Sequence, residues 1–180
     1  MYDDGSLDGW YAIFVSTGEE DNVKERLKYR FGDELRFVVP KRKIRERKDG
    51  KVRDVLKLLF PGYVLVRGQI DIPQYERFRN VPGMIKLLGD AGKPKKIEAY
   101  EMELISRLIV NDEIIGYSKI FEENGLVRVV DGPMMSLEGN IVSIDRRKGR
   151  AKVRLFLFGD ERVVDLGIEI LKPAEVYVED

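Results

Sequence analysis

The chain has 180 residues, 43% of them hydrophobic, and its 32 Lys and Arg balance its 32 Asp and Glu. That length holds one large domain or two small ones, and the cancelled charge leaves any attraction to nucleic acid to local clusters. Cysteine and histidine are both absent, which excludes disulfides, thiolate catalysis, histidine triads and ordinary zinc sites.

In chain order, Trp10 to Val15 is a compact apolar strand. Thr17 and Glu20 have the spacing of a capping box, and Val23, Leu27 and Phe31 then recur on one face of a helix that stops before Gly32. Leu35 to Val39 is a second strand, ended by Pro40. A basic stretch from Lys41 to Arg53 follows, split by Asp49-Gly50, the signature of a type I′ hairpin. Its returning arm, Val55 to Leu59, runs into Phe60-Pro61-Gly62-Tyr63 and the apolar run Val64-Leu65-Val66. Proline and glycine inside a strand pattern bend or bulge it. The two flanking rings are then either core or anchors held out to a partner. Asp71-Ile72-Pro73 opens a short helix carrying Tyr75 and Phe78, Val81-Pro82-Gly83 turns, Met84 to Leu88 is a strand, and Ala99 to Val110 is a helix. The order predicts an α+β domain over 9–110, of the split-βαβ sort.

From 111 to 125 the pattern lapses among acids, which predicts a linker. Beyond it the period changes to two, with Val127, Val129, Ile141, Ile144 and the long run Ala151 to Phe158, then Val163–Leu166 and Ile168–Leu171. About five short strands without a helix signal predict a small five-stranded β-barrel over 126–173.

Alternation along 150–158 separates two faces. Ala151, Val153, Leu155 and Leu157 form a core face, and Arg150, Lys152, Arg154, Phe156 and Phe158 the opposite one. With Arg146, Arg147 and Lys148 in the preceding turn, six of the nine residues from 146 to 154 are basic and none is acidic. Such a row either keeps a sheet soluble or sets cations for phosphates beside rings for bases or an apolar partner. The basic arm at 41–53 is interrupted by Glu46, Asp49 and Asp54 and reads more simply as a solvated hairpin.

Nothing points to an enzyme. The acidic clusters Glu19-Glu20-Asp21, Asp112-Glu113 and Glu122-Glu123 sit in polar contexts and read as solvated faces or helix first turns. Gly89 to Lys93 is too short for a phosphate loop and reads as a turn. No cofactor is implied. No apolar run has membrane-spanning length and the N-terminus is acidic, so a cytoplasmic, monomeric protein without a membrane is expected.

Trp10-Tyr11, Phe60-Pro61-Gly62-Tyr63-Val64-Leu65-Val66, Arg79-Asn80-Val81-Pro82-Gly83 and Val127 to Pro133, followed by Gly139 and Phe158-Gly159, together resemble the bacterial NusG family over residues 9–172. The resemblance implies an N-terminal NGN domain that binds RNA polymerase, its apolar patch meeting the clamp helices through Trp10, Phe60 and Tyr63. It places Arg79 and Asn80 near the non-template DNA. It implies a C-terminal KOW barrel, SH3-like, on a linker. In general members that barrel recruits NusE, Rho or a ribosome; Phe158 matches the aromatic that contacts such partners, and Phe156, on the same predicted face, is expected to join it.

The chain departs from general members at Met134, Met135 and Leu137, where those usually carry phenylalanines, and in the basic turn at 146–150. It resembles specialised paralogues of the LoaP antiterminator type, and that resemblance implies that the KOW barrel engages a hairpin in the nascent RNA. Arg146, Arg147, Lys148, Arg150, Lys152 and Arg154 are then the expected RNA contacts.

Overall fold

Residues 8–109 and 113–172 are described by a computed structural model. Along the chain run β1 (Gly9–Val15), α1 (Glu20–Phe31), β2 (Arg36–Val38), β3 (Lys41–Lys48), β4 (Lys51–Leu58) and β5 (Tyr63–Gly68). Then come α2 (Ile72–Glu76), β6 (Met84–Leu87), β7 (Gly89–Asp90), β8 (Lys93–Pro94), α3 (Ala99–Leu108) and β9 (Ile114–Ile115). The last are β10 (Ser118–Glu123), β11 (Leu126–Asp131), a 3-10 turn at Glu138–Asn140, β12 (Ile141–Asp145), β13 (Arg150–Leu157) and β14 (Asp160–Ile170). The class is α+β, as expected. Contacts divide the chain into two compact units. One takes the described residues up to Val39 with Phe60–Met102, the other Pro40–Leu59 with the described residues from Glu103 onward.

The first unit is built on an antiparallel sheet in the order β2-β5-β1-β6. Tyr11, Ile13 and Val15 bury one face of β1, and the matching helix stripe Val23, Leu27 and Phe31 is buried as the spacing predicts. Phe31 meets Phe37 and Phe78 at ring-centroid distances of 5.7 and 4.6 Å, which ties α1, β2 and the turn after α2 together. Asp71 caps α2 in a reciprocal box with Gln74. The box expected at Thr17 and Glu20 does not form; the N-cap is Glu19, and the Glu20 carboxylate is used elsewhere. Gly89 to Lys93 turns, as expected, between β7 and β8.

The second unit holds a five-stranded sheet, β11-β10-β14-β13-β12, and a three-stranded one, β4-β3-β9. Three expectations are corrected here. The stretch at 111–125 contains β9 and β10; β10 pairs with β11 and, in parallel, with β14, so Ser118–Glu123 is barrel and not linker. Residues 111 and 112 of that stretch lie outside those described. The strands expected at Val163–Leu166 and Ile168–Leu171 are one strand, β14. Finally, the basic arm of β3 and β4, expected within the N-terminal domain, belongs to the same unit as the barrel. Its Asp49-Gly50 corner has φ of 52° and 75° with Lys48 opposite Lys51, the predicted two-residue I′ geometry.

Gly167 is where β3 approaches the barrel. A Cβ there would lie 2.4 Å from the Lys43 carbonyl oxygen and 2.5 Å from the Tyr117 ring. Polar contacts hold the approach. An Arg42 Nη1 donates to the Asp165 carbonyl at 2.7 Å, Arg150 Nη2 to the Arg45 carbonyl at 2.9 Å, and Arg45 Nη2 to Glu169 Oε1 at 3.2 Å. The Tyr117 hydroxyl donates to Asp54 Oδ1 at 2.6 Å while the Arg45 guanidinium lies 4.7 Å from the Tyr117 ring centre.

Candidate functional site

The Phe60–Tyr63 corner is a type II turn. Tyr63 N–H donates to the Phe60 carbonyl at 3.2 Å, proline holds the second position, and Gly62 has the φ of 86° that the third requires. The buried Glu20 carboxylate fixes it from α1. Oε1 accepts from Gly62 N–H at 2.8 Å and Oε2 from Gly18 N–H at 2.9 Å. Val15 N–H donates to the Gly62 carbonyl at 2.9 Å, closing the corner onto β1.

This turn separates the two rings. Phe60 is 2% exposed, which corrects the expectation that it faces outward. Tyr63 begins β5 opposite Phe14, with ring centroids 5.6 Å apart, and both are half-buried. Trp10 shares the face of Phe14 by strand alternation and is also half-buried. The partly exposed aromatic strip is therefore Trp10, Phe14 and Tyr63. Phe14 was legible only through its cross-strand partner.

Arg79 and Asn80 are exposed on the loop after α2, with Asn80 at a φ of 59°. The loop is held stiffly to α1. Arg30 Nη1 donates to the carbonyls of Arg77 and Arg79 at 2.9 and 2.6 Å, and Arg26 Nη1 to that of Pro82 at 2.9 Å. Arg77 stacks 4.4 Å from the Phe31 ring centre. The Arg26 hydrogen bond holds the Glu19 carboxyl below its usual pKa, with a lesser contribution from Asn22.

In the second unit, β13 alternates as predicted. Ala151, Val153, Leu155 and Leu157 are buried, while Lys152, Arg154 and Phe156 are exposed, Phe156 at 37%. Phe158 does not continue that face. It is the first residue of the β13–β14 turn, with a φ of 53° followed by Gly159 at 80°. The expected departures from general members are mostly interior: Met134 and Leu137 are buried and Met135 is exposed.

The basic row is partly neutralised by acids that the fold brings across. Lys152 Nζ lies 3.1 Å and Arg150 Nη1 3.6 Å from Asp165, and Arg154 Nε 2.6 Å from Glu161. Arg146 makes a two-pronged contact with Glu122 at 2.7 and 2.8 Å. Only Arg147 and Lys148 of the six make no ion pair among the described residues. Both are exposed on the β12–β13 turn, whose Lys148 N–H is tied to Asp145 Oδ1 at 2.9 Å.

The family model described as "Transcription termination factor nusG" matches residues 8–106, more than half of the chain. The "Transcription termination/antitermination protein NusG" of Bacillus subtilis (strain 168) is 35% identical over 167 residues, covering 87% of this chain and 93% of that protein. The protein of the same description from Pasteurella multocida (strain Pm70) is 31% identical over 165 residues, with 87% and 90% covered. A solved structure titled "Domain interaction in Thermotoga maritima NusG" superposes with a TM-score of 0.58 at 28% identity, covering 89% of this chain and 93% of that one. No helix among the described residues is long and apolar enough to cross a membrane. The corner, the stiff loop and the barrel thus lie on a chain that belongs to the NusG family of transcription termination/antitermination proteins.

Proposed function

We propose that this protein is a specialised cytoplasmic antiterminator, acting as a monomer, that rides on RNA polymerase and reads the nascent transcript. The aromatic strip of the first unit, Trp10, Phe14 and Tyr63, gives an apolar surface for the polymerase clamp helices, where buried aromatic anchors carry most of an interface's energy. Phe60 acts beneath it by shaping the turn. The rigid loop presenting Arg79 and Asn80 faces non-template DNA.

The observation that carries the RNA half is the β12–β13 turn, where Arg147 and Lys148 stand exposed beside Arg146, without acid partners among the described residues. Phosphate contacts by about three such residues give a slope of log affinity against log salt near −2 to −3. Fluorescence anisotropy of the full chain with a short-stemmed RNA hairpin tests this. Binding that weakens with salt at that slope supports the reading; no binding even at low salt removes it.

A second reading has its own observation. Leu126 is 72% and Val142 49% exposed, and they line one open groove with Val127, Ile141 and Ile144. A general factor would use this groove, with Phe156 and Phe158, to recruit a protein such as NusE, Rho or the ribosome. It predicts barrel binding to protein without a salt-dependent RNA complex.

A further inference from the structure

The basic turn does not stand alone. It forms one wall of a cleft of about 650 Å³ whose other wall is the β3–β4 hairpin. Six of the nine lining residues are cationic: Arg45 and Arg47 from the hairpin, and Arg146, Arg147, Lys148 and Arg150 from the turn and β13. The lone acid in the lining, Glu46, is engaged by Lys57 at 3.3 Å.

Some of these cations are structural. Arg45 is held by Glu169 and Asp54, Arg146 by Glu122, and Arg150 by Asp165. Arg47 on one wall and Arg147 and Lys148 on the other have no ion pair among the described residues. The cationic track also continues beyond the cleft. Lys48 sits directly opposite Lys51 across the hairpin, and both are exposed, as is Arg53. Like charges directly opposite each other destabilise a strand pair. A chain of phosphates laid along them relieves that repulsion, whereas a single small anion in the cleft does not reach them.

We propose that the β3–β4 hairpin is the second half of the RNA site, so that the RNA backbone runs between Arg47 and the Arg147–Lys148 turn and along the hairpin toward Lys48 and Lys51. The inference rests on the reading of the barrel as RNA-binding and adds a wall that no motif in the barrel supplies. It also explains why the hairpin packs with the barrel through Gly167, Tyr117 and Arg150: the two walls of a clamp have to be held in fixed register.

The test compares Arg47→Ala, the double variant Lys48→Ala with Lys51→Ala, and Arg147→Ala in the full chain, by anisotropy with the same RNA hairpin between about 50 and about 200 mM salt. A duplex DNA of the same sequence serves as a parallel probe. Arg47 makes no ion pair among the described residues and is exposed, so thermal melting should be unchanged and any loss is a loss of contact. Two walls on one strand predict weaker binding for Arg47→Ala and for Arg147→Ala, each reducing the salt slope by about 1. If Arg147→Ala weakens binding while Arg47→Ala and the double variant leave affinity and slope unchanged, the barrel still binds RNA and the two-wall cleft is wrong. Absence of RNA binding by the wild type removes both. Duplex DNA bound as tightly as RNA and equally sensitive to Arg47→Ala overturns the assignment to RNA.

Discussion

The Phe60–Tyr63 corner and the β13 row pose the same question in opposite chemistry: which way does a side chain face, and what meets it there. In the corner the answer is local. A type II turn places Pro61 and Gly62 at its middle positions, so Phe60 and Tyr63 leave it in different directions, and Phe60 goes into the core. On β13 the facing is as the alternation predicts, but the charge is not. Asp165 and Glu161 on β14 and Glu122 on β10 meet four of the six cations. Orientation is fixed within a few residues, whereas net electrostatics depends on which acids the neighbouring strands bring across, from 7 to 24 positions away in the chain.

The largest expected effect is on the corner. Phe60→Ala removes a fully buried ring and should lower stability by about 3 to 5 kcal/mol in urea denaturation. A loss below about 1 kcal/mol would return Phe60 to the surface, since core truncations of this size are not tolerated so cheaply. Tyr63→Ala should invert the pattern, with the greater loss in affinity for polymerase, about 2 kcal/mol.

Glu20→Ala is the next largest. It removes the acceptor of both the Gly18 and the Gly62 N–H, the second of them buried, and a hydrogen bond to a charged group is worth about 1.5 to 3 kcal/mol. A stability loss of about 3 kcal/mol, measured by denaturant, is expected. The comparison is sharpened by Glu20→Gln, which keeps one acceptor and should recover part of it. Equal losses in both variants would show that the carboxylate charge, and not the pair of acceptors, holds the corner.

How much of this was legible follows from the same distinction. The α1 stripe at Val23, Leu27 and Phe31, the I′ hairpin at Asp49-Gly50 and the inward row of β13 were readable because each is decided by neighbours in sequence. Glu20 looked like a capping residue, because nothing local reveals that a glycine 42 positions later offers it an N–H. Strand β10 was missed because its sequence, Ser118 to Glu123, alternates weakly; it is a strand because β11 and β14 lie on either side of it. Gly167 falls between the two strands that the pattern predicts, whereas its missing Cβ admits the Lys43 carbonyl and leaves β14 continuous. The acids of the basic hairpin point to a solvated arm, whereas the cleft exists because the fold brings that hairpin against a turn about 100 positions away.

Charge neutralisation on β13 yields a smaller and more discriminating prediction. Arg147→Ala should lower the salt slope of RNA binding by about 1, whereas Lys152→Ala should leave it nearly unchanged, because Asp165 already occupies its charge. Stability should change by less than about 1 kcal/mol in either variant, as for exposed ion pairs generally. Equal effects on the slope would mean that the cross-strand acids release their partners when RNA arrives.

The smallest effect tests how the hairpin is latched to the barrel. Burial, and then the Asp54 hydrogen bond, push the Tyr117 hydroxyl from 10.0 up to about 12, against an opposing effect of Arg45. The folded state therefore favours the protonated phenol. Its contribution to stability is whole below pH 10.0, where the unfolded phenol also keeps its proton, and is lost as pH rises through about 12. Tyr117→Phe deletes the titrating group, so stability should fall less steeply than in the wild type between those values. Both proteins share every other titrating side chain, including Tyr11, whose burial also raises its pKa, so the difference between their curves isolates the latch. Denaturant midpoints collected across that window would show it, and curves that run parallel would mean that the hairpin is held by Arg42, Arg45 and Arg150 without help from the phenol–carboxylate bond.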